Sequence, residues 1–223
     1  GRGGWVPDGK IAGQVLRIGI PAALEQLLVS SAFLAMSVVV AHLGTAVLAA
    51  HRVAFNALSL SFLPGIGFGI AATALVGQSV GARKIEEGGA AARVATIWAV
   101  TWMSAIAVLL FLFAPQVLHL FTSDQAVVDS GASGLRMVAL IQPFWAVLFV
   151  QSGALRGSGN TTFPLMVSGV SIWLSVALGY VLIHTLGGGL AAVWSAFLVV
   201  APCTAFLMWR RFQRTVAEGV QAH

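Results

Sequence analysis

One carboxylate stands inside the apolar segments of this chain: Glu25, in the run GIPAALEQ. The other six acidic residues lie in polar loops or tails. Counted from about residue 15, Glu25 sits roughly 15 Å along its helix. An ionised carboxylate at that depth in a bilayer is disfavoured by about 3 kcal/mol. A carboxyl that takes and releases a cation there is what a proton- or cation-coupled carrier requires. Pro21, one turn earlier, removes a helix hydrogen bond and leaves the carbonyl of Arg17 without its usual partner, which adds a second oxygen for a cation. The structural alternative is a permanently protonated Glu25, hydrogen-bonded between helices.

Other polar residues recur on common helix faces. Gln26, Ser30 and Ser37 share one face, and Arg52, Asn56 and Ser59 fall within about 60° of one another at about 100° per residue. Gln142 and Gln151 lie further on. Gln26, Asn56 and Gln142 are therefore candidates for the wall of a polar cavity, with plain interhelical hydrogen bonding as the alternative. Pro21, Pro64 with Gly65, and Pro143 mark expected breaks in helices. Such breaks in transporters mark the moving or binding element. Gly65, Gly69, Thr73, Gly77 and Gly81 recur every four residues, a small-residue stripe that permits close helix packing.

These residues need long apolar helices to position them, and the composition supplies them. Of 223 residues, 58% are hydrophobic and only 9% charged, too few charges to cover a soluble protein of this length. Six apolar stretches are long enough to cross about 30 Å of hydrocarbon: about 16–41, 46–80, 90–114, 135–155, 163–183 and 190–212. They are continuous rather than alternating, which favours helices over barrel strands. The expected organisation is an all-α, six-span transmembrane lobe over 16–212, between a linker at 1–15 and a tail at 213–223. Ten of the 12 Lys and Arg residues fall on one side, and only Arg52 and Arg136 on the other. That bias places both termini in the cytoplasm, in an inner or plasma membrane. Arg156 reads as a cytoplasmic topology anchor and Trp209 as an interfacial anchor.

The basic residues flank apolar runs instead of forming a patch, so the net charge of +5 points to topology and not to nucleic acid. Cys203 is the only cysteine, which excludes an internal disulfide. The opening GRGGWVPDGK lacks the apolar core of a signal peptide and reads as an interior cut of a longer protein. No phosphate loop, clustered metal ligands or dinucleotide fingerprint occurs, so no cofactor is expected beyond a transported proton or sodium ion. Gly131-Ala132-Ser133-Gly134 matches the serine motif of six-span intramembrane proteases, but the sixth span holds no histidine to serve as base. An enzyme is not expected.

Four stretches together carry a family resemblance: GIPAALEQ (19–26), HLGTAVLAAH (42–51), LPGIGFGIAATALVGQSVGA (63–82) and GALRGSGNTTFP (153–164). With these stretches in this order, the chain resembles the carboxyl-terminal half of the multidrug and toxic compound extrusion (MATE) family. The resemblance implies twelve helices in two six-helix lobes, with the substrate cavity between them and the amino-terminal lobe supplied from elsewhere. It implies antiport of bulky, often cationic or amphipathic compounds against protons or sodium. Glu25 matches the first-span acid of the sodium-driven subgroup. That subgroup's second acid falls on Trp145 here, which brings the chain closer to the DNA-damage-inducible F-like subgroup. The alternatives of another class are a lipid-linked oligosaccharide flippase of related architecture and a non-transporting membrane module. The expected partners are the missing lobe or a parallel second copy, membrane lipid and a small-molecule substrate.

Overall fold

The computed structural model describes residues 9–187 and 189–221, and residues 1–8 of the expected linker lie outside that range. Every element among the described residues is helical: α1 (Gly9–Ala41), α2 (Thr45–Gly81), α3 (Ile85–Leu112), α4 (Ala114–His119), α5 (Gln125–Gly157), α6 (Thr162–Leu186) and α7 (Leu190–Gln221). All except the short α4 are long and apolar enough to cross a membrane, which needs about 20 residues at 1.5 Å each. Large apolar side chains such as Leu34, Leu60, Leu120, Val170 and Val199 stand outward. A soluble surface does not tolerate such continuous apolar cover, whereas lipid does.

The helices reach beyond the expected apolar stretches. The segment from Ser123 to Gly134, which falls between the expected spans 90–114 and 135–155, is mostly helix. The Asp124 side chain caps α5 by accepting the Ala126 N–H at 2.9 Å. Gln125 then donates to Asp129 one turn on, at 2.8 Å. A cap of this kind stabilises a helix start by about 1 kcal/mol. Gly131 and Gly134 lie against Leu118 and Leu190, so tertiary packing explains the GASG sequence. Gly9 to Val15 of the expected linker already belong to α1. The expected tail continues α7 to Gln221. Val216 there packs on Gly89, and Gly219 on Ile85, at the start of α3.

The expected helix breaks are corrected by the structure. Pro21, Pro64 and Pro143 all lie inside unbroken helices α1, α2 and α5, as does Pro202 in α7. Each proline removes one hydrogen bond, which neighbouring helices can tolerate in a membrane protein. Gly65 is a packing glycine: a Cβ there would come within 2.6 Å of Met103 Sδ on α3.

α5 is the central post. It packs most extensively on α2, then on α7 and α3, whereas α6 packs on α7 and α1 on α6. The α2–α5 seam is built from small residues on both sides. Gly69 and Gly77 face Phe149 and Gly157 of α5, and Gly153 and Gly157 face Gly69 and Thr73 of α2. Thr73 Oγ1 closes the seam by donating to the Gly153 carbonyl at 2.9 Å. Gly81, the last residue of the expected stripe, has no side-chain neighbour to clear and takes no part.

Candidate functional site

Glu25 lies midway along α1 and is 6% exposed. Its neighbour across the fold is Arg156, in the last turn of α5. Arg156 Nη2 donates to Glu25 Oε1 at 3.0 Å. The same nitrogen donates to Ser152 Oγ at 2.8 Å, and Ser152 Oγ donates to Glu25 Oε1 at 3.4 Å. Ser152 and Arg156 are one helical turn apart, so both side chains leave α5 on the same face. Charge also favours the arrangement, because a guanidinium at the carboxyl end of a helix complements the helix dipole.

Arg156, expected as a cytoplasmic topology anchor, thus pairs across the fold with Glu25. Its neighbour Gly157 packs on Thr73 and Gly77, which lie eight and four residues before the end of α2 at Gly81. At 1.5 Å per residue, α5 ends roughly 6–12 Å short of that level. The side chain turns toward Glu25. The α1 and α5 backbones scarcely pack on each other, so the ion pair bridges open space between two helices that are otherwise held apart.

That space is a cavity of about 690 Å³ among α1, α2, α5, α6 and α7. Among the described residues, Glu25 and Arg156 are the only charged ones that line it. Around them are hydroxyls from Ser30, Ser59, Ser168, Ser171, Ser175 and Thr204. The rest of the wall is apolar and rich in aromatic rings. Phe62 meets Trp145 and Phe149 edge-to-face at 5.0 and 5.7 Å, and Phe33 meets Phe55 at 5.2 Å. Edge-to-face pairs fix ring orientation, and the exposed faces attract cations and flat apolar groups. A large, mostly apolar concavity with a few convergent polar groups has the form of a small-molecule site.

The sequence candidates divide within this geometry. Gln26 lines the cavity and its amide reaches Ser30 Oγ at 3.4 Å. Asn56 does not line it: the side chain is exposed on α2, and its carbonyl accepts from Ser59. Gln142 does not line it either. It is fully buried in the α2–α5 seam, where its Oε1 accepts from Ser61 Oγ. Trp145 lines the wall with its indole. Sequence reasoning misses Arg156 and Ser152 as site residues, and only the fold brings them to Glu25.

The MatE family model matches residues 21–181, a stretch that begins just before Glu25 and includes Ser152 and Arg156. The chain belongs to the MatE family. A relative named probable multidrug resistance protein NorM, from Thermotoga maritima, is 30% identical over 182 residues, covering 81% of this chain and 39% of its own length. Another protein of that name, from Shewanella oneidensis, is 28% identical and covers 97% of this chain and 50% of its own. The solved outward-facing structure of a MATE family transporter of the MOP superfamily superposes with a TM-score of 0.91 at 23% identity, over 99% of this chain and 50% of that one. This last likeness concerns fold. The chain spans about half the length of the curated relatives it matches, or less. With six apolar helices, this MatE chain is a multi-pass membrane protein.

Proposed function

We propose that this MatE chain is one six-helix lobe of a cation-coupled efflux transporter that works by alternating access, with Glu25 as its ion-coupling carboxylate. The observation that carries the reading is the Glu25–Arg156 pair inside an aromatic- and serine-lined cavity of about 690 Å³. Glu25 Oε2 is buried and has no hydrogen-bond partner among the described residues. One oxygen is thus held and the other is free to take a proton or sodium ion. The cavity walls suit bulky, cationic or amphipathic compounds, in keeping with the multidrug resistance names of the relatives. The rest of the transporter is a second six-helix lobe, either the amino-terminal half or a parallel second copy. The charge bias of the loops supports an inner membrane with both ends cytoplasmic. No cofactor takes part, and the energy comes from the ion gradient. Trp145, in place of a second acid, supports kinship with the DNA-damage-inducible F-like subgroup.

Binding of the ion can move the lobes only by as much as its affinity differs between the inward- and outward-open states. A neutral, isosteric side chain at Glu25 removes that difference. Glu25→Gln in the assembled transporter should reduce gradient-driven efflux by about tenfold or more at wild-type expression. Efflux of a fluorescent cationic dye from loaded cells measures it. Efflux at the wild-type rate would remove Glu25 from the coupling step.

A further inference from the structure

We infer that Arg156 is a tethered counter-cation that competes with the coupling ion for Glu25, and so sets both ion affinity and the rate of ion release. This rests on the reading of Glu25 as the coupling carboxylate. Three observations carry it. The pair joins two helices whose backbones scarcely meet. The pair is only half satisfied: Arg156 Nη2 reaches Oε1, while Arg156 Nε and Glu25 Oε2 are buried without hydrogen-bond partners among the described residues. The alternative acceptor for the guanidinium is already in place, since Ser152 Oγ accepts from the same Nη2 at 2.8 Å.

An ion pair with one partner buried, the other half-buried and hydrogen bonds missing is incompletely compensated for the water it lost. Such a pair is easily exchanged. A cation arriving at Oε2 neutralises the carboxylate and weakens its attraction for the guanidinium. Arg156 then swings back to Ser152 and the carboxyl end of α5, where the helix dipole favours it. When the ion leaves, Arg156 returns and expels any remaining competitor. The clasp between α1 and α5 therefore opens and closes with ion occupancy. Among the described residues, none of the walls from α2, α6 and α7 adds a charged group to the cavity. The exchange thus involves these two side chains alone.

The test uses the assembled transporter in proteoliposomes, with the proton and sodium concentrations that give half-maximal dye transport measured separately. Arg156→Gln removes the competitor. The half-saturating concentration of the coupling ion should fall by about tenfold, on the scale of one charged hydrogen bond, and the maximal rate should fall with it because release is slowed. Arg156→Lys should restore both toward wild type. A structural role alone would lower the amount of folded protein or the maximal rate without tightening ion binding. An unchanged or higher half-saturating concentration in Arg156→Gln overturns the inference, as does failure of Arg156→Lys to restore it. In a Glu25→Gln background, Arg156→Gln should have no further effect on ion dependence, and an additional shift there also overturns the inference. Should Glu25→Gln itself transport normally, the coupling role fails and the competitor falls with it. Loss of transport in Glu25→Gln with no tightening in Arg156→Gln would sink the competitor alone.

Discussion

Lys84 Nζ lies 2.8 Å from Glu87 Oε1 across the first turn of α3, and Arg156 Nη2 lies 3.0 Å from Glu25 Oε1 in the cavity. The distances are nearly the same and the surroundings are opposite. The turn pair is 60% and 64% exposed and three residues apart. In the cavity pair the Arg156 and Glu25 side chains are 32% and 8% exposed, and the residues lie 131 apart in sequence. Water and salt screen the first, and each partner is fully solvated without the other. The second stands where solvent compensates little, so loss of one partner leaves a buried charge. Length of contact therefore does not rank these interactions. The placement of the backbone beneath them does.

That placement offers the largest effect. Ser152 and Arg156 face the cavity, while their immediate neighbours Gly153 and Gly157 face α2. A Cβ on Gly153 would collide with the Gly69 carbonyl and come within 2.9 Å of Thr73 Oγ1. Backbone cannot yield as a side chain can. Gly153→Ala should therefore destabilise the helix bundle by about 3 kcal/mol through overpacking, and displace Arg156 from Glu25. Thermal unfolding in detergent, followed by size exclusion, measures the loss. A wild-type melting curve for Gly153→Ala would show that the seam is loose and that the cavity pair positions α5, which reverses cause and effect between backbone and ion pair.

Much of the fold was legible because a bilayer imposes one rule on sequence. Six long apolar runs must be six helices, and six long apolar helices are what the structure holds. Glu25 was legible for the same reason, since a lone carboxylate in an apolar run has few structural uses. Its partner was not. Arg156 closes a helix and precedes a glycine-rich turn, the usual place for an interfacial anchor. Its inward direction depends on how far α5 recedes along α2, and that depth is set by Gly153 and Gly157 against Gly69 and Thr73. Helix periodicity puts Arg52, Asn56 and Ser59 on one face but does not say what that face meets. Gln142 shows the same limit: its polarity serves Ser61 in a buried seam. The prolines misled because a missing hydrogen bond weakens a helix without ending it.

Ser152→Ala gives an intermediate effect and sharpens the contrast between the two pairs. The hydroxyl accepts from Arg156 at 2.8 Å and stands 3.4 Å from Glu25. Its removal should cost about 1 kcal/mol of stability, the net worth of one hydrogen bond. It should also leave the guanidinium with Glu25 as its sole side-chain acceptor in the cavity. Slower efflux with a wild-type fold, seen by dye transport alongside detergent melting, is the expected result. Unchanged transport would mean that Ser152 is not where Arg156 goes.

The smallest effect belongs to the turn. Glu87 accepts a hydrogen bond from Lys84 and attracts its charge, which raises the Lys84 pKa above the usual 10.5. A raised value means that the folded chain holds this proton more tightly than the unfolded chain does. The pair's contribution is thus fully present below pH 10.5 and is lost only as pH rises through the higher folded-state value. Across the physiological range it is constant, and exposure to solvent makes it small. Lys84→Met should accordingly leave the melting temperature unchanged within error at about pH 7 and about pH 9, in low salt and in high. A shift of several degrees at low salt would show that an exposed pair at 2.8 Å matters as much as a cavity pair at 3.0 Å, and that burial is not what separates these two regions.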